Sequence, residues 1–306
     1  MSYLVFHALF VLPPIIFLLL GRKRSLPAAG RLAWMGLPLM SLLALVYTSP
    51  WDNYLVAKGV WDYGEDRVLG TLGRVPLEEY AFFVLQPILT GLWLYRLPGT
   101  GSVLRLPDSR PAAPEVTIRA RWAGTSLCVV MALVGIVLLR WEPGFYLGLI
   151  LAWSGPVLAG QWAYGRDVLW CVRRVWILGT LVPTFYLWAV DRAAIALGIW
   201  SISPGHTTGL APFGLPVEEA VFFLVTNLMV VQGLLLFLWI SGRYCGQRTN
   251  SPSRREDGDP TVSTAKPSGT APKTRAGPDA GNATVSGSEV IARSEGNRRS
   301  GRGHAR

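Results

Sequence analysis

Two stretches of this chain repeat one pattern, Pro76-Leu-Glu-Glu-Tyr-Ala-Phe-Phe83 and Pro216-Val-Glu-Glu-Ala-Val-Phe-Phe223. The proline, both glutamates and both phenylalanines recur in register at a spacing of 140 residues. Upstream, Asp52, Gly59 and Trp61 match Asp191, Gly198 and Trp200 at a spacing of 139. A proline suits the first turn of a helix, where its missing N–H would have no partner anyway. Glutamates in that turn meet the positive end of the helix dipole. A good helix start would account for one copy. Two copies, each with an upstream aspartate in an apolar chain, point to chemistry, because ionisable groups at membrane depth are costly and mark function.

Helical spacing says what that chemistry could be. Glu78 and Phe82 are four residues apart, as are Glu79 and Phe83, so each carboxyl lies on one face with an aromatic ring. The same holds for Glu218 with Phe222 and Glu219 with Phe223. Adjacent glutamates diverge by about 100° around a helix. They need not play the same part, since one can face a substrate cleft while hydrogen bonds to neighbouring structure hold the other. A carboxyl in a water-poor site keeps its proton. The faces of Phe82, Phe83, Phe222 and Phe223 can steady a cation, although packing is the default role of phenylalanine in an apolar helix. An acid, an aromatic wall and access from lipid are what protonation of an alkene requires. Trp51, Trp61 and Trp200 extend the candidate substrate wall.

The elements that would position these residues are membrane helices. Of 306 residues, 51% are hydrophobic and 16% charged, against about a quarter charged in a soluble domain. The apolar residues fall in blocks near 3–20, 32–49, 77–95, 123–140, 144–163, 174–190 and 216–240, each about the length that spans a bilayer. The net charge of +10 sits in short loops and the tail, without a basic stripe interleaved with stacking aromatics, so it reads as a topology signal and not as a nucleic-acid surface. Arginines or lysines collect at 22–31, 96–121, 166–174 and beyond 243, whereas the loops 50–75 and 191–215 are acidic, mixed or nearly neutral. That alternation predicts an all-α protein of about seven membrane helices, with its N-terminus outside and its C-terminus in the cytoplasm. The first apolar run lacks a basic lead-in, unlike a cleaved signal.

The repeat divides the chain into 1–100, a linker with the fourth helix over 101–142, a second repeat over 143–242, and a basic tail over 243–306. The tail's composition predicts disorder. Three helices plus one linker helix separate the copies, so both motifs enter the membrane from the same side, as a 3+1+3 parallel repeat. Cys128, Cys171 and Cys245 form no C-x-x-C pair, and His7, His206 and His304 are scattered, so no metal site is predicted.

The doubled motif, with Thr48-Ser-Pro-Trp-Asp-Asn53 before its first copy, closely resembles the membrane-embedded carotenoid (lycopene) cyclases. In that family two three-helix subunits, or one fused chain, do the cyclisation. The resemblance covers about residues 1–240 and implies a redox-neutral reaction on lycopene drawn from the lipid phase. An acid protonates a terminal double bond, the neighbouring double bond attacks the tertiary cation, and a base removes a proton to leave a β-ionone ring. Glu78, Glu79, Glu218 and Glu219 are the acids so implied, with Asp52 and Asp191 as bases or orienting groups. The implied setting is the plasma membrane, alongside other carotenoid-synthesis enzymes. The second half departs from the first, since Ala189-Val-Asp191-Arg192 replaces Pro-Trp-Asp-Asn. No G-x-G-x-x-G follows a strand, so no flavin and no other cofactor is expected. A C50 substrate, an ε- or γ-ring product and a 3+1+3 transporter stay open as alternatives. Against transport, the residues expected near the midplane, such as Leu42, Leu43, Leu85 and Leu181, are apolar.

Overall fold

A computed structural model describes residues 1–21, 30–64, 66–106 and 114–249. Among these, the apolar blocks fold as seven long helices: α1 (Tyr3–Leu20), α2 (Gly36–Ala57), α3 (Leu77–Leu94), α4 (Pro114–Leu138), α5 (Phe145–Cys171), α6 (Arg173–Ala196) and α7 (Val217–Thr249). Four stretches are long and apolar enough to cross a membrane: Tyr3–Leu20, Arg31–Ala57, Glu142–Cys171 and Val217–Arg243. Helices α3 and α6 are less apolar because they carry Glu78, Glu79, Gln86, Thr180, Thr184 and Asp191, all buried inside the bundle.

Several helices outrun their expected ends. Helix α2 passes through Pro50 to Ala57, and α6 continues to Ala196. A proline usually marks a boundary, but here tertiary packing keeps the helix going. Asp52 and Asp191 therefore sit inside helices and not in the loops after them. Helix α7 likewise reaches Thr249, past the expected 240. The rest of the expected tail, from 250, lies outside the described residues.

Helices α2 and α6 stop in the same way. Gly59 and Gly198 take φ of +68° and +61°, the left-handed conformation that closes a helix. Val60 N–H then reaches back to Leu55 O and Ile199 N–H to Ala194 O, both at 3.1 Å. A Cβ at either glycine would meet nothing within 4 Å, so backbone conformation alone selects glycine. Gly198→Ala should cost about 1 kcal/mol, a drop of roughly 2–4 °C in the melting temperature of the detergent-solubilised protein. An unchanged melting temperature would contradict the role given to this glycine.

The chain leaving each glycine forms a short strand, β1 (Trp61–Tyr63) after α2 and β4 (Trp200–Ile202) after α6. A second small ribbon joins β2 (Thr71–Leu72) to β3 (Val75–Pro76). Strands β1 and β4 pair antiparallel, with Trp61 opposite Ile202, Asp62 opposite Ser201 and Tyr63 opposite Trp200. Asp62 and Ser201 are repeat equivalents, so the register maps onto itself when the halves are exchanged. This ribbon holds the loops of both halves together and turns Trp61 and Trp200 inward.

Helix α4 packs along α5 through small residues. A Cβ on Gly148 would come within 2.8 Å of Gly135 O, and one on Gly155 within 2.7 Å of Ala132 Cβ, the close approach that membrane helices favour. Its opposite face is apolar and exposed, with Leu127 and Val137 each over 60% accessible, as a lipid-facing helix requires.

The interior is less apolar than expected. Gln86 Nε2 and Thr90 Oγ1 on α3 both donate to Asn227 Oδ1 on α7 at 2.6 Å, and Asn227 Nδ2 donates to Thr184 Oγ1 on α6 at 3.0 Å. These groups satisfy one another, which offsets the cost of burying them.

Candidate active site

Pro76 precedes α3, and Leu77 opens the helix, so Glu78 and Glu79 fall in its first turn. Val217 opens α7 and puts Glu218 and Glu219 in the same place. Asp52 and Asp191 reach the same region from near the ends of α2 and α6. Asp52, Glu79, Asp191 and Glu219 are each 4% exposed or less. Glu79 interacts electrostatically with Asp52, Asp191 and Glu219, and Asp191 with Glu219. The two repeats thus contribute to one buried acid cluster.

Within each Glu-Glu pair the two carboxyls do different things. The Tyr3 hydroxyl donates to Glu79 Oε2 at 2.5 Å, and the Tyr146 hydroxyl donates to Glu219 Oε1 at 2.7 Å. The first glutamates turn to the loops instead. Glu78 Oε1 accepts from Leu69 N at 2.9 Å, while Glu218 Oε1 accepts from Thr208 N and Thr208 Oγ1 at 2.7 and 2.8 Å. Leu69 and Thr208 are themselves 139 positions apart, so both halves tie the loop to the helix start by one device.

The aspartates are less alike. Trp200 Nε1 donates to Asp191 Oδ1 at 3.0 Å, whereas the Trp61 indole turns to the Tyr146 hydroxyl and not to Asp52. The paired strands carry each tryptophan to the other half's tyrosine: Trp200 lies 4.9 Å from Tyr3, and Trp61 stands edge-on to Tyr146 at 6.2 Å. Asp52 Oδ2, Asp191 Oδ2 and Glu219 Oε2 are buried without protein partners. Tyr63 stacks on Tyr3 at 6.4 Å, its hydroxyl unpartnered. Burial, then the nearby Glu79, Asp52 and Glu219, push its phenol well above the usual range.

Below the acids lies a mostly aromatic wall. Phe222 stacks on Trp51 at 5.8 Å, Phe82 meets Phe223 edge-on at 6.1 Å, and Phe83 packs edge-on to Tyr80 at 5.9 Å. Phe82, Phe83 and Phe222 also line a cavity of about 270 Å³ with Thr48, Trp153 and Gln161. It opens between α2 and α5 past Leu43 and Tyr47, which are both exposed. On its inner side Phe82 and Phe222 are shared with a much smaller void lined by Glu79 and Asp191.

Sequence reasoning missed Tyr3, Tyr146, Tyr63, Trp153 and His7. His7 Nε2 lies 2.9 Å from Glu78 O; that carbonyl can only accept, so Nε2 carries the hydrogen. The bond pins α1, at its π-helical turn His7–Val11, to the start of α3. A faint signal for the tyrosines exists: Tyr3 and Tyr146 are 143 positions apart, as are Phe10 and Trp153. Two hydrogen bonds fit that alignment: Tyr47 donates to Trp153 O at 2.8 Å and Tyr186 to Phe10 O at 2.5 Å. An offset of 143 in one helix beside 139 and 140 elsewhere, resting on few residues, is hard to align by eye.

The chain is similar to known proteins. A family model described as Lycopene cyclase matches residues 1–97 and 143–237, leaving out the segment that carries α4. A lycopene beta-cyclase of Halobacterium salinarum is 45% identical over 244 residues, which cover 79% of this chain and 98% of that protein. A bifunctional lycopene cyclase/phytoene synthase of Arthroderma gypseum is 38% identical over 247 residues, covering 76% of this chain and 41% of that protein. No solved structure matches.

Proposed function

The chain belongs to the lycopene cyclase family, and we propose that it closes β-ionone rings on the acyclic ends of lycopene taken from the lipid phase, with no cofactor. The observation that carries this reading is the single buried cluster of Asp52, Glu79, Asp191 and Glu219 beside an aromatic-lined cavity whose lining includes the exposed Leu43 and Tyr47. In the proposed reaction Glu79 or Glu219 gives a proton to the terminal double bond, which leaves a tertiary cation. Phe82, Phe222 and their neighbours face that cation. The neighbouring double bond attacks it, one carbon–carbon bond forms and the charge moves into the new ring. Asp52 or Asp191 then takes a ring proton, and the charge is gone. One proton enters and one leaves, so the product is an isomer of the substrate. Tyr3 and Tyr146 act as positioning residues that aim the two glutamates, and Glu78 and Glu218 hold the loops that seal the site.

The architecture proposed to support this is seven membrane helices in a 3+1+3 parallel repeat, N-terminus outside and C-terminus in the cytoplasm, in the cell membrane. Its repeats are 1–100 and 143–242, joined by 101–142. The self-matching register of β1 and β4 supports an axis along the membrane normal. In the fungal relatives the cyclase shares a chain with a phytoene synthase, which suits a position next to other enzymes that make or use the same pigment.

Expression in bacteria that accumulate lycopene tests the function. The expected outcome is conversion to one-ring and two-ring carotenes with β-ends, identified by chromatography and absorption. Lycopene left unchanged in cells whose membranes contain the protein would count against the proposal. Rings of ε or γ type would mean that the base takes its proton from a different carbon next to the cation, a ring carbon for ε and the methyl for γ.

A further inference from the structure

The two halves share one acid cluster but not one cavity. Two-fold exchange of the repeats would place a second cavity between α6, α3 and α1. That region holds only the much smaller void beside Glu79 and Asp191. Leu187 stands there in place of Thr48 and is 1% exposed. Gly179 stands in place of Met40, and a Cβ on it would come within 2.9 Å of Leu94 Cδ1 and 3.2 Å of Val231 Cγ1. Without a side chain at 179, α6 closes onto its neighbours. Asn227 then ties Thr184 on α6 to Gln86 and Thr90 on α3. On the open side the bulk is reversed: the Met40 sulfur lies 2.9 Å from where a Cβ on Gly233 would sit, so Met40 props α2 away from α7.

We propose that the cavity between α2, α3, α5 and α7 is the ring-closing chamber for both ends of the substrate, which enter it in turn. This rests on the cyclase reading above. The chamber encloses about 270 Å³, many times what a single water needs. The folded end of a carotene, a six-membered ring with three methyls, has nine carbons. The chamber takes one such end, and the remaining polyene leaves past Leu43 and Tyr47. Thr48, Phe82 and Phe222 place that end one helical turn from Asp52, Glu79 and Glu219. Gln161 adds a dipole: its Nε2 donates to Met229 O at 2.9 Å, which fixes the amide's orientation and leaves Oε1 buried without a partner. A carbonyl oxygen is the right pole to face a carbocation. Each visit takes up one proton and releases one, so the half-finished, one-ring molecule must withdraw and turn end for end before the second closure.

The test compares equivalent positions in the two halves. Val157 lines the chamber, and Pro14 is its counterpart 143 positions earlier. Val157→Phe should lower formation of both one-ring and two-ring products by about tenfold or more, the effect of overpacking by over 1.4 kcal/mol. Pro14→Phe should leave both near the parent level. Ala44→Phe fills the chamber from the opposite wall and should act as Val157→Phe does, and immunoblots of membranes check that every variant accumulates. In wild-type membranes, supplied one-ring carotene should be converted to the two-ring product. Persistent cyclisation in both chamber-filled variants, loss of one ring in Pro14→Phe, or failure to use external one-ring carotene would each overturn the single chamber. Failure of the wild type to cyclise lycopene at all would instead overturn the cyclase reading.

Discussion

Replacing Glu79 or Glu219 with glutamine should leave lycopene uncyclised, with product formation down by on the order of 10³-fold, within the range of losing a general acid. Glutamine keeps the shape of glutamate and can still accept the hydroxyl of Tyr3 or Tyr146, so the packing of the site should survive. What it lacks is an acidic proton. The paired substitutions Glu78→Gln and Glu218→Gln are the sharper half of the comparison. Those side chains accept from Leu69 N and Thr208 N, and a glutamine oxygen can do the same. Their product should stay within about tenfold of the parent, because a lost charge-assisted hydrogen bond is worth ~1.5 kcal/mol or less here. Pigment extracted from lycopene-accumulating cells, normalised to protein in the membrane, gives both numbers. If Glu78→Gln abolishes the rings while Glu79→Gln keeps them, the assignment of the acid within each pair is reversed.

The paired glutamates are plain in the sequence because the same proline, glutamates and phenylalanines stand in register twice, and period and spacing are visible in one dimension. The helices were legible for the same reason, as long apolar blocks. Their ends were not. Pro50 reads as a stop, yet α2 continues, and that continuation moves Asp52 from a loop to a buried helical position. Nor could spacing reveal that both repeats converge. Asp191 belongs to the second half and interacts electrostatically with Glu79 of the first, and the loops of the two halves are joined by β1 and β4, three residues each. Strands that short leave almost no pattern. The buried polar network was hidden for a related reason: Gln86, Thr90, Thr184 and Asn227 are scattered single polar residues, and only the packing of three helices shows that they form one network.

The tyrosines carry the second large effect. Tyr3→Phe and Tyr146→Phe each remove a hydroxyl that donates to an inner glutamate, and should lower ring formation by roughly 10–100-fold, the equivalent of ~1.4–2.8 kcal/mol. Phenylalanine retains the ring, so the contacts of Tyr3 with His7 at 4.7 Å and Trp200 at 4.9 Å remain. Tyr186→Phe is the matched control. It breaks a hydroxyl bond to a helix carbonyl, Phe10 O, on the side of the bundle opposite the chamber, and should change product by less than about threefold. A fall in rate alone would not separate aiming of the acid from general loosening. The solvent isotope effect does: with the glutamate no longer held, proton delivery limits the reaction more strongly, so the effect of D₂O on ring formation should grow in Tyr3→Phe and Tyr146→Phe and stay at the parent value in Tyr186→Phe. An equal isotope effect in all three would reduce the two tyrosines to packing. A larger effect in Tyr3→Phe than in Tyr146→Phe would single out Glu79, which lines the small void adjoining the chamber, as the residue that hands over the proton.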